Sequence, residues 1–168
     1  MTNKKQNTVK MIALLGVIAS FAAILSYIEA IIAFDIWIPG VKLGLANLAI
    51  VIVLYWYGVR EALFVNIVRI VIVGLLFGNA FSIMFSLAGA LISLIAMAIA
   101  KNTNLFTVIG ISVSGGVFHN VGQIMVASLV VKSYSIIYYI PVLIIAGIIT
   151  GTIIGIVAWK LLERFKGI

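Results

Sequence analysis

Charged residues in this chain stand at the ends of long uncharged runs. None occurs between Arg69 and Lys101, between Lys101 and Lys132, or between Lys132 and Lys160. Runs of that length, filled mainly by Leu, Ile, Val, Ala and Phe, are the signature of helices that cross a lipid bilayer. The whole chain follows the same rule. Of its 168 residues, 65% are hydrophobic and 9% charged, and the mean hydropathy is +1.35. A soluble domain of this size has no core large enough to hide that apolar surface, whereas lipid as solvent removes the difficulty.

At about 20 residues per crossing, the chain has room for roughly six or seven helices with short loops. Six segments read as spans: residues 9–33, 43–57, 60–77, 80–100, 106–131 and 139–162. The expected fold is an all-α membrane protein of six transmembrane helices. Residues 1–168 form a single integral membrane domain with a short polar tail at each end. The Pro39-Gly40 pair marks a turn in the loop after helix one, and Lys101-Asn102-Thr103-Asn104 marks another. The first apolar stretch, residues 9–34, is long for a signal sequence and is followed by further spans, so it is expected to remain as helix one. The segments are too long and too uniformly apolar for the alternating strands of an outer-membrane barrel.

Orientation follows from Lys and Arg, which gather on the cytoplasmic side of membrane proteins. With six spans, both termini share one side. That side holds Lys4, Lys5, Lys10, Arg60, Lys101, Lys160, Arg164 and Lys166, and the other holds Lys42 and Lys132. Arg69 lies inside helix three. This segregation predicts both termini in the cytoplasm of a multi-pass cell-membrane protein. A five- or seven-span count spoils it. The net charge of +7 therefore sets orientation and does not point to nucleic acid.

Small residues suggest close helix contacts. Gly147, Gly151 and Gly155 line one face of helix six, and Ser86, Ala90 and Ser93 recur on helix four. Both sets read as packing within the chain. Helix one carries Gly16 and Ser20, and Ala19 and Ala23, at the same spacing. Packing within the chain and a docking face for another membrane subunit are both open for this set.

Polar side chains in a membrane are costly and usually face the bundle interior. The candidates are Glu29, Asn47, Asn66, Arg69, Asn79, His119, Asn120 and Gln123. Given the predicted orientation, nearly all of them lie in the outer half of the bilayer, as a cavity open to the outside requires. On helix five, His119, Asn120 and Gln123 are three and four residues apart and share a face, and Gly115, Gly116 and Gly122 remove bulk around them. Lys42, Arg69 and His119 favour an anionic or strongly polar head group, with Trp37 and Tyr27 as an aromatic wall. Structural readings stand beside these. Arg69 and Glu29 could form an interhelical salt bridge, His119 could bond a backbone carbonyl, and Asn47 and Asn66 could join helices.

Several chemistries lack their residues. No phosphate-binding Gly-rich loop of the P-loop type occurs. With one histidine and no cysteine, no zinc site is expected. Asp35 is the sole aspartate, so no paired-aspartate motif can hold magnesium on a diphosphate. Neither catalysis, a metal nor a cofactor is expected. Transport by so small a chain needs a partner or an ion gradient.

Three stretches now stand together: Pro39-Gly40-Val41-Lys42-Leu43-Gly44-Leu45-Ala46-Asn47, Phe85-Ser86-Leu87-Ala88-Gly89-Ala90, and residues 110–123, which include Gly115-Gly116-Val117-Phe118-His119-Asn120-Val121-Gly122-Gln123. They resemble the Gx transporter family, often labelled heptaprenyl diphosphate synthase component I. That family is similar to the substrate-binding S components of energy-coupling factor (ECF) transporters. The resemblance implies an S-component-like six-helix bundle with a ligand site near the outer face, capped by the loop between helices one and two. It also implies that Ala19 and Ala23 dock on a transmembrane coupling subunit carrying two ATPases. On this basis the expected function is a substrate-binding subunit for uptake of a small nutrient or precursor, related to quinones or isoprenoids. Arg69, His119, Asn120, Gln123, Asn47, Glu29 and Asn79 are its candidate ligand contacts, with Lys42 and Trp37 closing over the ligand. Two alternatives remain: a non-catalytic membrane subunit of a prenyl diphosphate synthase or redox complex, and a stand-alone ion-coupled carrier using Glu29.

Overall fold

The computed structural model describes residues 2–32, 43–132 and 134–165. These residues are helical throughout, with no strand among them. In chain order the helices are α1 (Thr2–Ile32), α2 (Leu45–Trp56), α3 (Val59–Phe77), α4 (Ala80–Asn102), α5 (Val108–Val131) and α6 (Ile140–Arg164). A short 3-10 helix, Tyr134–Tyr139, precedes α6, and hydropathy alone did not reveal it. α1 starts well before the residue 9 expected from hydropathy, because its polar first turns continue the same helix.

Helices α1, α4, α5 and α6 contain spans long and apolar enough to cross a membrane, as a multi-pass membrane protein requires. α3 is 19 residues long and falls short only in carrying Arg60, Glu61 and Arg69. α2 has 12 residues, or about 18 Å of helix at 1.5 Å per residue. Glycines bound it on both sides. Gly44 (φ 73°) precedes its first turn and Gly58 (φ 111°) follows its last, both in conformations that residues with a β-carbon rarely adopt.

The core gathers around α2. Ala49, Ile50, Val51, Val53 and Leu54 are all buried there, against Leu15, Ala19 and Ala22 of α1, Ala62 and Val65 of α3, Leu94 and Met97 of α4, Ile111 of α5 and Ala158 of α6. A helix buried on most of its circumference needs the unbroken apolar sequence that α2 has. Its end is secured by charge. Lys101, in the last turn of α4, donates to the Leu54 carbonyl at 2.6 Å and lies 4.9 Å from the centre of the Tyr55 ring. A cation on the unsatisfied carbonyls of a helix C-terminus is a favourable cap.

The glycine stripe of α6 packs inside the molecule. A β-carbon at Gly147, Gly151 or Gly155 would lie 2.9, 2.7 or 2.8 Å from the Cα of Val117, Val113 or Ile109. Each four-residue step along α6 meets a four-residue step back along α5, so the two helices run antiparallel with backbones in contact. α4 joins them in the same way. A β-carbon at Gly122 would lie 2.9 Å from the Gly89 Cα, and one at Gly89 would lie 2.7 Å from the His119 carbonyl oxygen. α1 is packed differently. It lies against α2 and α3, and most of its length presents Val9, Ile12, Val17, Phe21, Ile24 and Ile31 outward.

Candidate functional site

All six helices contribute to one cavity. Its wall includes Glu29 of α1, Leu43, Gly44, Ala46 and Asn47 at the start of α2, and Arg69 of α3. Across from these stand Ser86 of α4, Gly116, His119 and Asn120 of α5, and Thr150, Gly151 and Ile154 of α6. The empty space measures about 610 Å³, its open mouth included. The cavity lies toward the end of the bundle where α1 finishes and α2 begins.

Glycines shape both walls of this space. Gly116 and Gly151 bring α5 and α6 together without side chains. That leaves the inner stripe of α5, which passes through Gly116 and His119, open to the cavity. Opposite, the left-handed turn at Gly44 directs its backbone N–H to Oε1 of Glu29 at 2.7 Å. The last turn of α1 and the first turn of α2 are thereby tied together beside the cavity.

Arg69 is half-buried and held from two helices. Its Nε donates to Oδ1 of Asn66 at 2.9 Å, and its Nη1 donates to Oγ of Ser26 at 3.1 Å. The Ser26 hydroxyl in turn donates to the Ala22 carbonyl at 3.0 Å. The salt bridge between Arg69 and Glu29 that the sequence left open is absent among these contacts: each group has its own partner. Asn66 is buried and serves Arg69. Asn120 is buried on the cavity wall, and its Nδ2 donates to the Leu143 carbonyl at 2.8 Å, joining α5 to α6.

The expected site residues thus divide. Glu29, Asn47, Arg69, His119 and Asn120 come together on the cavity. Gln123 lies one turn beyond His119 and is turned against α4, with its Cγ 2.8 Å from where a Gly89 β-carbon would be; it is not on the wall. Asn79 precedes the first turn of α4 and accepts the Ser82 N–H at 2.8 Å, which makes it a helix cap away from the cavity. Tyr27 stacks on Phe77, ring centres 4.3 Å apart, instead of walling the cavity. Lys42 and Trp37 lie outside the described residues.

Ser86, Thr150 and Gly116 line the cavity although the sequence did not single them out as ligand contacts. Thr150 donates to the Ala146 carbonyl in its own helix at 2.9 Å, as any threonine in an apolar helix can. Nothing in its composition marks it. The set proposed for docking also divides. Ala19 is buried in the core with Ala22, while Gly16 and Ser20 are exposed and Ala23 is partly so. A β-carbon at Gly16 would meet nothing within 4 Å.

No curated protein and no solved structure matches the chain. Residues 18–161, which span every helix around the cavity, match the family described as heptaprenyl diphosphate synthase component I. The chain belongs to that family and is a membrane subunit of its type.

Proposed function

We propose that this chain is the substrate-binding subunit of an uptake transporter, working as the S components of ECF transporters do. One observation carries the reading: a chain made almost wholly of apolar helices turns Glu29, Asn47, Arg69, Ser86, His119, Asn120 and Thr150 onto a single cavity. Polar groups are costly in a bilayer, and their convergence on an open space is what a polar ligand requires. All six helices lie in the cell membrane, with the short α2 enclosed by its neighbours. Both termini lie in the cytoplasm, following the Lys and Arg distribution, so the cavity faces outward. The ligand is a small nutrient or precursor, related to quinones or isoprenoids by the family's description. The chain itself performs no catalysis.

Energy comes from a partner. A transmembrane coupling subunit with two ATPases docks along α1, on the stripe of Gly16, Ser20 and Ala23, where the backbone is open to close approach. ATP hydrolysis reorients the bundle and delivers the ligand inward. Copurification tests this. Recovery of an ATPase module, together with a small molecule released on denaturation and identified by mass spectrometry, supports the reading. Protein that yields no small molecule, and Arg69→Ala protein that binds as wild type does, would sink it.

The family's description favours a second reading, a non-catalytic membrane subunit of a prenyl diphosphate synthase. With Asp35 as its sole aspartate, the chain has no paired-aspartate motif to hold a magnesium diphosphate. It would act only as an anchor. Recovery with a soluble prenyl synthase and an empty cavity would favour this reading over the first.

A further inference from the structure

The cavity carries two charged side chains of opposite sign. Glu29 comes from the last turn of α1 and Arg69 from the middle of α3. No direct ion pair joins them among the described residues, although the charge of Glu29 acts on Arg69 across the space. Glu29 takes the Gly44 N–H on Oε1, and its second oxygen has no hydrogen bond among the described residues. Arg69 uses Nε on Asn66 and one hydrogen of Nη1 on Ser26, and the rest of its donors have no acceptor among the described residues. An anion and a cation that share one partly desolvated space without a direct ion pair compensate each other only in part, and each keeps unused hydrogen-bonding capacity.

Such a wall is selective in a way that neither charge is alone. A monoanion would satisfy Arg69 but bring a second negative charge beside Glu29. A monocation would reverse the problem. Only a guest with both signs compensates both groups. In the sequence Lys42, Arg69 and His119 favour an anionic or strongly polar head group, and Glu29 on the same wall changes that balance.

We propose that the cavity selects a bipolar guest: a small zwitterion, with its acidic group on Arg69 and its basic group on Glu29, in preference to any singly charged compound. The inference rests on the ligand-binding reading of the cavity and replaces the quinone or isoprenoid class, drawn from the family's description, with a zwitterionic one. Asn47 and Asn120 add polar groups to the same wall, while Leu43, Ala46 and Ile154 accept the carbon body. Binding of this kind depends on electrostatic complementarity, which penalises the wrong charge pattern more than it strengthens the right one.

Three probes with one carbon skeleton test the charge class: γ-aminobutyrate, butyrate and butylamine. Each is titrated by calorimetry and by thermal shift into the purified full-length protein, into Glu29→Gln and into Arg69→Gln. The Glu29→Gln amide oxygen can still accept the Gly44 N–H, so this variant keeps the tie between α1 and α2. The zwitterion should bind wild type about tenfold or more tighter than either relative. Glu29→Gln should raise butyrate to the level of γ-aminobutyrate, and Arg69→Gln should do the same for butylamine. Butyrate that binds wild type as well as γ-aminobutyrate does overturns the bipolar class and leaves the binding reading standing. Silence from all three probes in wild type and both variants overturns the binding reading itself.

Discussion

The two halves of the bundle are built by different means. In α4, α5 and α6 backbones touch at Gly89, Gly116, Gly122, Gly147, Gly151 and Gly155. In α1, α2 and α3 no described glycine meets the backbone of a neighbouring helix, and the polar link between α1 and α3 is made by Arg69, Ser26 and Asn66. Glycine contacts bring main chains within van der Waals distance over several turns and leave little room for adjustment. Side-chain contacts can repack. The cavity lies between a wall that is fixed by backbone and a wall that is fixed by rotamers. The two charged residues that line the cavity, Glu29 and Arg69, are both on the second. A site that must close on a ligand benefits from placing its charges on the half that can adjust.

The largest expected effect breaks the first half. Gly151→Leu would drive a side chain into the Val113 backbone, and no flexible neighbour can move away. α5 and α6 must part, at a cost of about 3 kcal/mol or more. Fluorescence-detected size exclusion and thermal unfolding in detergent should show a destabilised or unrecoverable protein. If Gly151→Leu unfolds like wild type, the backbone contact does not govern this half.

Next in size is Arg69→Ala. It removes the cavity's cation and unties α1 from α3 at once. Affinity for the released native ligand should fall about 100-fold, from the loss of a desolvated charged contact. Stability should fall less than in Gly151→Leu, since the core around α2 is untouched. Equal losses in the two variants would mean that the halves are not distinct.

The contrast between halves also explains what could be read in advance. Helices were legible because lipid-facing segments must be apolar along their whole length, and the long uncharged runs state this directly. The glycine stripe of α6 was legible because Gly147, Gly151 and Gly155 repeat at the helical period. The rotation of each helix about its own axis was not. His119 and Gln123 are four residues apart and share a stripe, yet the cavity ends between them, because α4 closes over Gln123 at Gly89. Ala19 and Ala23 share a stripe in the same way, and Ala19 is in the core. Asn79 found a partner in its own helix terminus, which a depth argument cannot see. Periodicity relates residues within a helix, and only packing relates one helix to another.

A smaller effect tests how Arg69 is held. Ser26→Ala removes the acceptor of one Nη1 hydrogen and nothing from the cavity wall. The cost should be about 1 kcal/mol, the usual net value of one hydrogen bond. If the α1–α3 link positions the guanidinium, ligand affinity falls with it; if the link only joins helices, stability falls and affinity holds. A titration with the native ligand beside a thermal melt separates these outcomes.

The smallest stability effect belongs to the outer face of α1, and it is the most discriminating. Gly16→Ala adds a methyl group where nothing lies within 4 Å. Alanine is the better helix former by up to about 1 kcal/mol, so the purified protein should melt at the same temperature or slightly higher. Ligand binding should be unchanged, since Gly16 is far along the helix from Glu29. Only assembly should suffer, because the added carbon fills the space into which a partner helix would pack. Uptake by cells, or recovery of the partner subunits, should fall while the isolated protein is unaffected. Should Gly16→Ala and the bulkier Gly16→Leu both assemble and transport normally, α1 faces lipid alone, and its loose packing serves the adjustment of the cavity and not the docking of a partner.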